Sequence, residues 1–498
     1  MPSGLDTSIN QRFSTRTGFL LSVIGIAVGT GNIWRFPRIV AQNGSEEGAG
    51  AFLIAWVCFL FLWSIPLVLA EYAIGRKCRM GVVGAITKLA GEKFTWVGGF
   101  IMFVTTAITF FYSVIVGWCI YYFIQMCINP LPMTSEAATT IWDSYQNGGW
   151  PLVTHAFVMG FGALAIWKGI SSIERINKVL MPVLFIIIML SVLRALTMPG
   201  SGAGISYLFT TDWDQLAKPK IWMEALTQNA WDVGASWGLY LTYAAYIKRK
   251  YGIVKNGFIT PIANNFISIL SALMVFGTVF SVLQTEMYMT KPEILEIMKT
   301  SGPASTGLTF IWMPQLFARM FLGHPMAILF FLGLSFAGFS SLIAQLELPV
   351  RVFIDAGFKR AKAIVLVIFI SYLIGIPSAI NLNVLKNQDL VWGYALIISG
   401  ALMAFAIIRY NADKLRLEEL TGNPGDWKVG HWWNFIITAF IPIGAIALLV
   451  WWFVQDAVPG KWYNPFDASS ILNCIGQWLI ILSILLIMNN RIAAKMRH

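Results

Sequence analysis

Two short stretches of this 498-residue chain concentrate residues that break helices and free backbone polar groups. The first reads Gly25-Ile-Ala-Val-Gly29-Thr-Gly31-Asn32 and ends in Arg35-Phe-Pro37; the second reads Asp232-Val-Gly234-Ala-Ser-Trp-Gly238. Gly disfavours helix by ~0.8–1.0 kcal/mol relative to Ala, so three in seven residues at 25–31 predict a break. A break frees inward-facing carbonyls on one side, able to surround a cation. On the other side it frees N–H groups that point positive charge at an anion. Asp232 sets a carboxylate beside the second stretch, and Ser340-Ser341 offers two adjacent hydroxyls.

The elements that must hold these groups are apolar. Of all residues 57% are hydrophobic and 12% charged, with mean hydropathy +0.68. Soluble proteins run at about 45–50% and about 25%. An ordinary soluble enzyme, a disordered chain and a disulfide scaffold are thereby excluded. The net charge of +11 does not form one basic patch. Lys and Arg recur in short loops (Arg76, Lys77 and Arg79; Lys248, Arg249 and Lys250; Lys359, Arg360 and Lys362; Arg491, Lys495 and Arg497), whereas 129–150 has none. That is the positive-inside pattern of a multi-pass membrane protein, and nucleic acid is not an expected partner. Cys58, Cys78, Cys119, Cys127 and Cys474 show no metal spacing and read mostly as buried small hydrophobes. The polar first 16 residues lack the pattern of a cleaved signal peptide.

A bilayer crossing takes about 20 apolar residues. Twelve runs qualify, near 17–42, 51–75, 95–127, 152–168, 178–197, 221–247, 257–285, 325–355, 362–380, 390–410, 433–455 and 470–489. An even number puts both termini on one side, and the basic loops make that side the cytoplasm. The less apolar 286–320 predicts short helices over the outer face, a candidate lid. The two breaks fall in spans one and six, at matching places in two five-helix halves, about 17–197 and 221–410. A single Gly more often serves close helix packing. Two matched clusters with polar neighbours are instead the best sequence pointer to a transporter's binding site.

The string Ala27-Val28-Gly29-Thr30-Gly31-Asn32-Ile33-Trp34-Arg35-Phe36-Pro37 resembles the first-span signature of the neurotransmitter:sodium symporter family, bacterial amino-acid transporter branch. Further matches are Gly50-Ala-Phe52, Ile65-Pro66 and Glu71, Phe111-Tyr112 and Trp118, Thr242-Tyr-Ala-Ala-Tyr246, and Ala337-Gly338-Phe-Ser340-Ser341, covering about 12–410. The resemblance implies an all-α membrane fold of twelve helices: two inverted five-helix repeats with broken helices 1 and 6, followed by two more helices at about 433–489. It implies one sodium site from the carbonyls of Gly25, Val28 and Ala337 and the hydroxyls of Ser340 and Ser341. Alone, such hydroxyls more often bond back to the preceding turn. A second sodium site would use the Ala27 carbonyl, Asn32, Asn264 and position 232. The family usually has Ser or Thr there, and this chain has Asp232. A carboxylate at mid-membrane costs ~2.5–3.5 kcal/mol on insertion scales and marks function by default. It binds sodium or a proton.

In chloride-dependent members the anion sits beside this sodium. Gln228, Asn264 and Ser268 match that set, but Trp56 replaces its Tyr and Asp232 its span-six Ser. Asp232 would supply the charge itself, so chloride independence is expected. The free amides of Thr30 and Gly31 and the Tyr112 hydroxyl would receive a substrate carboxylate. Monoamine carriers place Asp where Gly29 stands, so Gly29 favours an amino acid. Its side chain would meet Ile108, Trp231, Gly234, Trp237, Ser341 and Gln345, with Gln345 favouring a small or polar group. Arg35 with Asp389 is the candidate outer gate, Tyr112 with Trp231 an aromatic lid, and Arg12, Tyr246 and Asp355 the inner gate. The expected protein is a sodium-coupled symporter importing a neutral α-amino acid by alternating access, with one or two sodium ions and no organic cofactor. Membrane lipid is its surrounding, and a homodimer is left open. A non-transporting sensor, or a carrier of a β-amino acid or amino sulfonate, is the rival. No catalytic constellation appears, since His155, His324 and His431 are scattered.

Overall fold

The computed structural model describes residues 11–299, 307–422, 425–456, 462–468 and 470–497. Most of the expected cytoplasmic N-terminus, and residues 300–306 of the expected lid, lie outside them. The described residues contain helices and no strand. In chain order they are α1 (Arg16–Ala27), α2 (Thr30–Asn43), α3 (Gly50–Cys78), α4 (Val82–Ala90), α5 (Thr95–Ile128) and α6 (Ser135–Asn147). Next come α7 (Trp150–Ile166), α8 (Ile170–Leu196), α9 (Ser201–Phe209), α10 (Pro219–Asp232), α11 (Leu239–Ala244) and α12 (Val254–Thr285). The chain ends with α13 (Lys291–Lys299), α14 (Leu308–Ala318), α15 (Gly323–Asp355), α16 (Arg360–Ile380), α17 (Leu382–Tyr410), α18 (Trp432–Gln455) and α19 (Ile471–Lys495).

Nine of these helices are long and apolar enough to cross a membrane, and eleven spans result if the bent pairs α1/α2 and α6/α7 each count once. The sixth expected run is missing from that sum for a physical reason. It is split into α10 and α11, of 14 and 6 residues, neither able to span alone. Helix α6 lies in what the sequence presented as a connection. Helices α13 and α14 stand where short helices over one face were expected.

Burial separates the helices into an inner set and an outer ring. The apolar windows of α5 and α12 are 78% and 83% buried, whereas those of α18 and α19 are 33% and 22%. The outer ring exposes Phe157, Leu164, Ile443, Val450 and Ile487. Such a belt marks a surface that meets a membrane or another protein. Inside it, the α1/α2 pair packs against α8, α12 and α15, and α10 and α11 pack against α3.

One buried ion pair ties α15 to α16. The Glu347 side chain is 0% exposed and pairs with Arg360 at 2.5 Å, while the Tyr246 hydroxyl donates to it at 2.8 Å. Removing one partner of such a pair strands a charge, at ~3–5 kcal/mol. Arg360→Leu therefore lowers the melting temperature of the detergent-solubilised protein sharply. The double variant Glu347→Leu/Arg360→Leu recovers most of it. Equal melting of the single variant and the parent would contradict this.

Candidate functional site

The first break is built by two extended residues. Val28 (φ −80°, ψ 102°) and Gly29 (φ −116°, ψ −173°) leave the helix after Ala27, and α2 restarts at Thr30. The last carbonyls of α1 thereby lose their helical donors and turn toward α15. The Ser340 hydroxyl lies 2.9 Å from the Ala337 carbonyl and 3.3 Å from that of Val28. The Ser341 hydroxyl lies 3.2 Å from Val28 O and 3.3 Å from the Gly25 and Ile26 carbonyls. All five oxygens of the first expected sodium set thus come together, and the Ile26 carbonyl joins them. Every donor is a neutral oxygen, the chemistry that suits a hard monovalent cation at a helix break. A Cβ at Gly25 would come within 3.1 Å of Asn177 Oδ1 on α8 and 3.3 Å of Ser340 Cβ on α15, so a larger residue there must push these neighbours back by a few tenths of an ångström.

On the other side of the break the N–H groups of α2 begin. Thr30 donates both its N–H and its hydroxyl to the Tyr112 oxygen at 3.3 Å. A Cβ at Gly29 would lie 3.0 Å from both Ser341 Oγ and Tyr112 Oη, whereas one at Gly31 would meet nothing within 4 Å. Gly31 opens onto a cavity, shared by Ala27, Gly29, Thr30, Tyr112, Ser341 and Gln345. Trp231, Asp232, Gly234 and Trp237 line the same cavity from the second break. Ile108 does not line it. That side chain is fully buried behind the wall, and Phe111 and Ile115, further along α5, face the space instead.

The second break carries positive φ at Gly234 (71°), Ser236 (72°) and Gly238 (79°). For Ser236 that is a strained backbone. A carboxylate holds it: Glu71 of α3, 0% exposed, accepts from Ser236 N at 2.5 Å and Leu241 N at 3.1 Å. Glu71 entered the sequence reading only as a family match. The rule that singled out Asp232, an acid inside an apolar span, applies to it equally.

Asp232 ends α10 and faces α12. Its Oδ2 accepts from Asn264 Nδ2 at 3.2 Å and Ser268 Oγ at 3.0 Å. Asn32 donates to Asn264 Oδ1 and Ser268 Oγ at 2.8 Å each, while its own Oδ1 accepts from Gly29 N at 2.8 Å. The side chains of the second expected sodium set are therefore brought together, but as a network bonded to itself. Asn32 caps α2 with the oxygen that was expected to face an ion.

The gates differ from expectation in their pairing. The Arg35 guanidinium stacks 4.5 Å over the Trp231 ring, with Asp389 on the same cavity wall. The aromatic lid residues Tyr112 and Trp231 line that cavity too. At the other end, Asp355 pairs with Arg351, one turn earlier on α15, at 3.0 Å, and accepts from Gly81 N at 2.5 Å. Arg351 was not foreseen; its guanidinium also lies 4.8 Å over the Tyr246 ring. The ion pair at Asp355 is made within one helix, and Arg12 donates to the Gln11 carbonyl. A partner four residues away on the same helix needs no loop to be ordered.

A helix bundle with two broken spans and a cavity between the breaks defines a membrane transporter. The chain belongs to the sodium:neurotransmitter symporter family, whose model matches residues 10–147 and 147–498. It is thus a sodium-dependent, multi-pass symporter that binds sodium and a small-molecule substrate. An uncharacterized sodium-dependent transporter of Methanocaldococcus jannaschii is 31% identical over 87% of this chain and 88% of its own. The sodium-dependent serotonin transporter of Drosophila melanogaster is 26% identical over 94% of this chain and 82% of its own. Among solved structures, MhsT in complex with L-phenylalanine matches with a TM-score of 0.76 at 27% identity, covering 88% of this chain and 99% of that one.

Proposed function

We propose that this protein imports a neutral α-amino acid with a small or polar side chain, coupled to one or two sodium ions, by alternating access. The observation that carries the proposal is the junction at Val28–Thr30, where carbonyl oxygens and helix N–H groups face opposite partners across two residues. A cation on one side and a carboxylate on the other would neutralise each other there. The basic loops support a cell-membrane protein with both termini cytoplasmic. Each positive charge moving inward then gains ~2.3 kcal/mol per 100 mV. Uptake of labelled amino acids into proteoliposomes should require an inward sodium gradient; binding without accumulation would favour the sensor. A taurine transporter of Canis lupus familiaris, 25% identical over 87% of this chain, motivates an amino sulfonate as second reading. Taurine uptake decides it.

Chloride independence rests on Asp232. Its carboxylate accepts from Asn264 and Ser268, groups that the family resemblance assigns to chloride, and Trp56 brings no hydroxyl. Replacing chloride by gluconate should leave uptake nearly unchanged. Asp232→Ser should make uptake fall severalfold in gluconate but not in chloride. A severalfold fall in the parent protein would refute the assignment.

A further inference from the structure

Four polar side-chain atoms of residues lining the cavity have no hydrogen bond: Trp34 Nε1 and Arg35 Nε on α2, and, where the substrate side chain was expected to lie, one atom each of Gln345 and Trp237. Gln345, one turn beyond Ser341 on α15, is 2% exposed, and its Oε1 has no partner. Trp237, in the second break, is 7% exposed, and its Nε1–H has no partner. Both residues line the substrate cavity. The indole is held firmly. Thr105 donates to the Trp237 carbonyl at 2.6 Å, and the indole rests edge-on against Trp231 with ring centroids 6.0 Å apart. In the part of the wall shared by Gln345 and Trp237 an acceptor and a donor are thus both removed from water and unpartnered, and buried polar groups ordinarily have partners.

We infer that the transported amino acid has a side chain ending in a neutral group that both donates and accepts, a hydroxyl or a carboxamide. It donates to Gln345 Oε1 and accepts from Trp237 Nε1. An aliphatic side chain leaves both atoms unpaired. An ammonium offers nothing to the indole N–H, and a carboxylate offers nothing to the Gln345 oxygen. Sites built around hydrogen bonds reject apolar analogues strongly, because the site's own buried groups lose their partners. The inference rests on the α-amino-acid reading above.

Near-isosteric pairs test it: threonine against valine, and asparagine against leucine. Dose-dependent thermal stabilisation of the purified protein in sodium gives a half-saturating concentration for each. The polar member of at least one pair should act at an at least about tenfold lower concentration than its partner. Trp237→Phe, which keeps the ring and loses the N–H, should shrink that ratio. Gln345→Leu should invert it. If valine and leucine match or outdo their partners in the parent protein, the inference is overturned while amino-acid binding stands. If all four fail to stabilise the protein, the amino-acid reading falls and takes the inference with it.

Discussion

Replacing Ser340 and Ser341 together by Ala removes the sodium dependence of uptake, or uptake itself, while the protein still reaches the membrane. Both hydroxyls sit among the carbonyls of Gly25, Val28 and Ala337, within 2.9–3.3 Å of one or more of them. Ser340 and Ser341 are 1% and 5% exposed, so water cannot easily substitute for them. Hydrogen bonds to charged partners are worth ~1.5–3 kcal/mol each, and ion–hydroxyl contacts should be of similar order. At ~1.4 kcal/mol per factor of ten, losing two raises the sodium concentration for half-maximal uptake by about a hundredfold or more. The helix should survive, because Ala is the best helix former and each change removes one atom. Uptake at graded sodium, with surface expression measured alongside, is the readout. Normal sodium activation in the double variant would place the ion elsewhere.

Gly29→Asp abolishes amino-acid uptake, and amines lacking a carboxylate compete at least about a hundredfold more weakly than their parent amino acids. The substitution has two costs. Its Cβ would press to 3.0 Å against Ser341 Oγ and Tyr112 Oη, tight enough that one of them must yield. Its carboxylate would then occupy the N-terminus of α2, the place proposed for the substrate's own, and repel it. The amines probe the same site without mutation, since they cannot make the charge-assisted bonds, ~1.5–3 kcal/mol each, that a carboxylate would accept from the Gly31 N–H and the Tyr112 hydroxyl. Alanine against ethylamine and leucine against isoamylamine are adequate pairs. Equal competition by the amines would end the amino-acid reading and leave the sodium-coupled fold intact.

The parts of the site written as local composition could be read in advance. Three Gly residues in seven mark the first break, whereas the Ser340-Ser341 pair that meets it was legible only through the family resemblance. The parts set by choices among neighbours could not. Asn32 has one carboxamide oxygen, and whether it caps Gly29 N or faces an ion depends on how α2 restarts. Asp355 pairs with Arg351 on its own helix, a cation that the sequence analysis did not weigh. Ile108 and Phe111 are both apolar residues on α5, so hydropathy alone cannot say which faces the cavity. The two lie on the same side of that helix, and what separates them is how far along its axis the cavity reaches.

The carboxylate of Glu71 has a mechanical consequence. It bonds to backbone N–H groups on both sides of Gly238, and the join is dry and close: a Cβ on Gly75 would lie only 2.1 Å from the Leu241 carbonyl. The far half of α3 and the stub α11 are therefore welded into one strut. Whatever flexing lets the cavity face first one side and then the other cannot occur within that strut. In the sixth span that leaves Val233, Gly234 and Ala235 outside the strut, so a rearrangement of the cavity would be expected to fall there, at the glycine with φ 71°.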